Sequence, residues 1–149
     1  MIKEVKKVNY KGKLSDINSD TIRKETIDRY SVSNGECFCQ FCEKLKPKKY
    51  IEVNNIERDP KYYWKEMRIA LCLECSKEFE AIRRNDLLYK DFIKEILSKD
   101  LQRGSGSVEV EIGAKDGDSI KFSRQHLAEI QEILRFQQNK SNVEDEENE

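Results

Sequence analysis

The sequence predicts a small α+β fold, on three observations. Stretches of helical periodicity flank short stretches that alternate with period two, without the strict strand–helix repeat of a parallel sheet. Two Cys-x2-Cys turns, Cys39–Cys42 and Cys72–Cys75, lie 29 residues apart within the strand-forming part. An alternating pair of segments near the end leads into a helix rich in leucine and isoleucine. At 149 residues the chain fits one domain.

Residues 1–19 form a basic N-terminal arm, with Lys3, Lys6, Lys7, Lys11 and Lys13 broken by Ile2, Val5 and Val8. From Asp20 the spacing of Ile22, Thr26, Ile27 and Tyr30 predicts a helix, and Ser33-Asn34-Gly35 supplies a turn to end it. The first cysteine turn follows in a loop and leads to a short strand over Tyr50–Val53. Asp59-Pro60 opens a turn or a short helix carrying Tyr62, Tyr63 and Trp64. In the next segment Met67, Ile69 and Leu71 alternate with Arg68 and Ala70, which predicts a second strand running into Cys72. The segment SKEFEAIRRN then has helical spacing, with Phe79 and Ile82 inward.

Residues 87–99 form the clearest amphipathic helix, with Leu88, Phe92 and Ile96 in one stripe and Tyr89, Ile93 and Leu97 beside it. After a flexible break at 103–107, Val108–Ile112 and Ile120–Phe122 read as a β-hairpin about the Asp116-Gly117-Asp118 turn. Ser123 is a good N-cap for a last helix bearing Leu127, Ile130, Ile133 and Leu134. Residues 20–140 thus make the folded unit. The segment 141–149 holds five of the 29 acids and no base, and its composition predicts a disordered acidic tail. Residues 1–140 keep 28 bases against 24 acids, a net of +4 that is too mild by itself to argue for nucleic acid.

Composition excludes several classes. Eight Gly and Pro residues rule out a collagen-like chain. No apolar run approaches the roughly 18 residues of a membrane span, and MIKEVKKVNYKGKL contains no signal-peptide core. A cytoplasmic protein with reduced thiols is the expectation, which moves the five cysteines from disulfides towards metal. A single histidine, His126, weakens any site needing two; it is read as a surface or helix-cap residue.

A Cys-x2-Cys turn sets two sulfurs on adjacent corners of a tetrahedron, and two such turns close a site with no open position. Cys39, Cys42, Cys72 and Cys75 are therefore expected to hold one structural Zn2+, with buried free thiols or redox pairs as the alternative. Four thiolates leave two net negative charges, to be offset by backbone N–H groups and by Lys44, Lys46, Lys48 and Lys49; a solvated loop is the plainer reading of those lysines. Cys37 is a spare thiol outside the site. A cysteine turn, then a β-hairpin, then a ligand pair at a helix start is the order of a treble clef rather than of a zinc ribbon.

The segments CQFCEK, YIEVNNI and MRIALCLECSKEF resemble the treble-clef ββα domain of HNH nucleases that carry two zinc knuckles. The resemblance implies a His-His or Asp-His pair where Asn54 and Asn55 stand, an asparagine at Met67 and a histidine at Ser76. All three are replaced, so the base and the divalent-cation ligands of that family are missing, and the comparison speaks against an enzyme. Over residues 20–136 the chain also resembles a C-terminal domain of large bacterial proteins that begin with a sacsin-like ATPase of the heat-shock-chaperone type. That resemblance implies a zinc-stabilised accessory module in a bacterial defence or stress system.

Three functions follow in order. The first is a non-catalytic zinc module that binds a protein partner, with no membrane and no small-molecule substrate. The second is nucleic-acid binding through Lys46, Lys48, Lys49, Arg68, Arg83 and Arg84, with Tyr62, Tyr63 and Trp64 either stacking on bases or forming a lid over the zinc site. The third is residual nuclease activity using Glu52 or Glu74, whose plainer reading is surface charge.

Overall fold

The computed structural model describes residues 19–32, 35–58, 64–113 and 117–147, so the basic arm up to residue 18, together with Tyr62 and Tyr63, lies outside the described residues. Helix α1 (Ser19–Arg29) leads to strands β1 (Ser31–Val32), β2 (Glu36–Phe38) and β3 (Leu45–Pro47), an antiparallel sheet in that order. A 3-10 turn over Lys48–Tyr50 precedes β4 (Ile51–Asn55), which pairs antiparallel with β5 (Arg68–Cys72). Helices α2 (Leu73–Arg84) and α3 (Asp86–Ser98) follow. Strands β6 (Val108–Glu111) and β7 (Ser119–Phe122) form a further hairpin, and α4 (Arg124–Glu147) follows it. Among the described residues the architecture is mixed α+β, with small sheets and four helices.

Two local reasons fix the helix boundaries. Asn85 separates α2 from α3, and its Oδ1 accepts the Leu88 N–H at 3.0 Å, capping α3. Ser123 caps α4 as expected, its Oγ accepting the His126 N–H at 3.2 Å. No Gly or Pro follows Gly117, so nothing in the chain terminates α4 at Lys140. The helix bounds accordingly run to Glu147, into the segment for which composition predicts no order.

A single core joins these elements. Phe79 of α2 meets Phe92 of α3 edge-on at 6.0 Å. Val110, Ile120 and Phe122 of the β6–β7 hairpin and Leu127, Ile130, Ile133 and Leu134 of α4 are all buried in it. On α3, Phe92 and Ile96 are buried, while Leu88, Ile93 and Leu97 are partly covered. Strand β5 departs from the expected alternation: Ala70 is as buried as Ile69 and Leu71, because β5 packs against both α1 and α2. Between β1 and β3 the expected loop is a small sheet, and the first cysteine turn connects β2 to β3.

Candidate metal centre

Two turns and one register bring four sulfurs together. Cys39 and Cys42 sit in the β2–β3 connection, where the Cys39 N–H donates to Lys44 O at 2.9 Å and the Glu43 N–H to Cys39 O at 2.9 Å. Glu43 takes a φ of 66°, the left-handed conformation that lets the chain reverse so tightly. Cys72 ends β5 and pairs in register with Ile51, while Cys75 lies in the first turn of α2. The Sγ atoms of Cys39, Cys42, Cys72 and Cys75 lie within 4.8 Å of one another, and those of Cys42 and Cys72 are 3.9 Å apart. Cys42 alone of the four is more than slightly exposed.

These sulfurs fit a single tetrahedral metal ion. Metal–sulfur bonds of about 2.3 Å require S···S edges of about 3.8 Å, a contraction of no more than about 1 Å from the observed spacing. Burial pushes the Cys39 thiol up, against N–H groups of Cys42, Cys72 and Phe41 that favour its thiolate; the Cys72 N–H reaches Cys39 Sγ at 3.3 Å. Burial also raises Cys75, and the charges of the neighbouring sulfurs raise it further. At Cys72 burial acts in the same direction, but hydrogen bonds from the Cys75 N–H and from neighbouring thiols outweigh it and hold the thiol low. Four crowded sulfurs that resist joint ionisation are the donor set a soft divalent cation satisfies.

The charge of that set is met by backbone N–H groups, one of the two sources expected from the sequence. Two of the four lysines of the second source have other contacts: Lys48 Nζ lies 3.9 Å from Asp28, and Lys49 Nζ sits 5.1 Å from the centre of the Tyr50 ring. Cys37 is buried in β2, with its Sγ donating to Ile27 O at 3.6 Å, and burial raises its pKa to about 11. It stands outside the four-sulfur group.

The positions where the nuclease resemblance places its motif are filled by groups that satisfy one another. Ser76 is buried in α2, and its Oγ lies 2.6 Å from Glu52 Oε2 and 3.2 Å from Asn54 Oδ1. Asn55 Oδ1 accepts the Glu57 N–H at 3.2 Å, and its carbonyl accepts from Arg83. Met67 is buried and its carbonyl accepts the Ile56 N–H. Glu74 is exposed in the first turn of α2.

His126 corrects the expectation of a surface residue: it is 1% exposed. Its Nε2 lies 2.8 Å from the Glu66 carbonyl, which can only accept, so Nε2 carries the proton. Nδ1 therefore accepts from the Tyr30 hydroxyl at 2.6 Å, and that hydroxyl accepts the Ser123 N–H at 3.1 Å. Burial, with the nearby Arg29 charge, lowers the pKa to about 3. The histidine is a neutral structural link between α1 and α4.

The six cations proposed for nucleic acid do not converge. Lys46, Lys48 and Lys49 precede Ile51, at the cysteine end of the β4–β5 hairpin, whereas Arg68 pairs with Asn55 at its other end. Arg83 joins that second group by donating to Asn55 O, and Arg84 pairs with Glu80 at 2.5 Å. The length of a five-residue strand, about 15 Å, separates the two groups. Trp64 is neither a lid over the sulfurs nor open to a base. It is 2% exposed, stacks edge-on against Phe136 of α4 at 5.9 Å, and accepts the Met67 N–H at its carbonyl, at the far end of the hairpin from Cys72.

Sequence reasoning missed Gln40, the residue that joins the metal site to the rest of the fold. It is fully buried, and its backbone and side chain bond to Ala70 of β5 and Lys121 of β7. The CQFC segment offers only a weak signal, a polar residue among cysteines and a phenylalanine. Among the described residues no helix is long and apolar enough to cross a membrane. Comparison of the chain with protein-family models, curated proteins and solved structures found no match in any of the three.

Proposed function

We propose that this chain is a non-catalytic module of treble-clef order, built on one structural Zn2+ held by Cys39, Cys42, Cys72 and Cys75, which acts by binding a protein partner. The observation that carries this reading is a contrast. Four sulfurs converge with the spacing of a closed metal site, while Asn54 and Ser76, which stand where the nuclease resemblance puts catalytic histidines, hydrogen-bond each other. Asparagine amides and a serine hydroxyl hold no proton to exchange near neutrality, so these positions supply no general base. Zinc suits the four-thiolate donor set, and a structural ion contributes on the order of 10 kcal/mol to folding. A cytoplasmic setting keeps the thiols reduced, and the resemblance to sacsin-linked domains favours an accessory role in a bacterial system.

The test is to purify the tagged chain from its native host, measure bound metal, and reconstitute any captured complex from purified components. One zinc per chain and a stoichiometric complex lost on Cys72→Ser support the reading. A second reading, nucleic-acid binding, draws on Lys46, Lys48 and Lys49 beside the half-exposed Tyr50. Salt-dependent mobility shifts with DNA or RNA, in the absence of a protein complex, would favour it instead. Plasmid cleavage with magnesium, manganese or nickel ions that disappears on Glu52→Ala would overturn the non-catalytic assignment.

A further inference from the structure

We propose that Gln40 and Lys121 are positioning residues of the metal centre, and that through them metal binding and docking of the β6–β7 hairpin form one equilibrium. Gln40 lies between the two cysteines of the first turn. Its N–H donates to Ala70 O at 3.0 Å and its Oε1 accepts the Ala70 N–H at 2.7 Å. On the other side its carbonyl accepts the Lys121 N–H at 2.7 Å, and its Nε2 donates to Lys121 O at 2.9 Å. One buried residue thus takes the place of a strand between the edges of β5 and β7.

Lys121 returns to the same turn with its side chain. Its Nζ pairs with Glu43 Oε1 at 2.8 Å and lies 5.8 Å from the centre of the Phe38 ring. Every one of these partners falls within residues 38–43, the turn that carries Cys39 and Cys42. That turn is short, reverses through a left-handed Glu43, and carries two of the four sulfurs. A bound ion holds it closed; an open turn cannot present all four polar groups of Gln40 to two strands at once. Coupling between two binding events is reciprocal, so a seated hairpin also tightens the metal. The inference rests on the four sulfurs binding a metal and is independent of what the module binds.

The experiment titrates the full chain with Co2+, displaces it with Zn2+, and follows amide exchange with and without zinc. Cobalt bound by four thiolates gives tetrahedral absorption bands, which are expected in the natural chain and in Gln40→Leu. Gln40→Leu strands the Ala70 N–H and the Lys121 carbonyl, and should weaken both metals about 10–100-fold, the usual effect of losing a group that orients metal ligands. Lys121→Met keeps every backbone bond but removes the ion pair with Glu43, and should weaken both metals by no more than about fivefold, less than Gln40→Leu does. Removing zinc from the natural chain should cost the Lys121 amide at least tenfold more protection than the Phe92 amide of α3.

A Gln40→Leu affinity within threefold of the natural chain overturns the inference. So does a Lys121 amide whose protection changes no more than that of Phe92, a measurement that stands even if the variant fails to fold. Absence of the cobalt bands overturns the metal-site reading itself, and this inference with it.

Discussion

Replacing His126 by phenylalanine tests how the first and last helices are joined. The ring makes two buried hydrogen bonds, to Tyr30 at 2.6 Å and to the Glu66 carbonyl at 2.8 Å. Phenylalanine fills the space and keeps the edge-on contact with Phe122, now at 5.4 Å, but leaves the Tyr30 proton and the Glu66 carbonyl unpaired. At about 1–3 kcal/mol for each stranded group, His126→Phe should cost roughly 2–6 kcal/mol at pH 7.

The pH profile carries a second signature. His126 stays neutral down to about pH 3, so an unfolded chain binds more protons between there and the ordinary histidine value of 6.5, and stability falls as pH drops through that range. Glu66 acts in the opposite sense: burial raises it from 4.5 to about 7, so its contribution is lost as pH rises through that window. Each slope is about 1.4 kcal/mol per pH unit, and between pH 4.5 and 6.5 the two nearly cancel. The variant keeps the glutamate's slope without the histidine's, so between pH 4.5 and 6.5 its stability should fall relative to that of the natural chain as pH rises. Urea unfolding followed by circular dichroism across this range measures both effects. A loss below 1 kcal/mol, or profiles that run parallel, would refute the assigned tautomer and network.

Three further outcomes are expected. Cys72→Ser or a strong chelator should unfold the segment around the cysteine turns and lower thermal stability by several kcal/mol; an unchanged melting temperature after verified metal loss contradicts a structural ion. Cys37→Ser should leave metal content at one ion per chain, and the natural Cys37 should react slowly with thiol reagents at neutral pH, since its pKa lies near 11. Asn85→Ala removes the cap bond to Leu88 and should cost about 1 kcal/mol in chemical denaturation, whereas Asn85→Asp should retain most of it.

Elements whose burial follows a period were legible in the chain. The stripe of Phe92 and Ile96 on α3, the series from Leu127 to Leu134 on α4 and the alternation of β6 and β7 all record a one-sided environment, and a one-sided environment writes itself into spacing. The cysteine set was legible because metal geometry dictates the two-residue gap. Strands β1 to β3 were not, since two or three residues are too few to show a period and β2 and β3 are joined by a turn whose shape depends on sulfur and on Glu43. Ala70 misled because β5 is covered by two helices. His126 misled and Gln40 went unmarked for another reason: nothing in a polar residue's own position shows burial unless its partners are known, and theirs lie 30 to 96 residues away in the chain.

The meeting of α1 with α4 has a consequence for synthesis. Arg29 pairs with Glu129 and Tyr30 with His126, contacts spanning 100 and 96 residues, so they cannot form until residues 126–129 have left the ribosome. Cys75, the last of the four sulfurs, emerges some 50 residues sooner. A nascent chain can therefore bring its four sulfurs near one another while β7 and the seat for α4 are still absent, and a metal held there would tighten only once Lys121 arrives to fix Gln40.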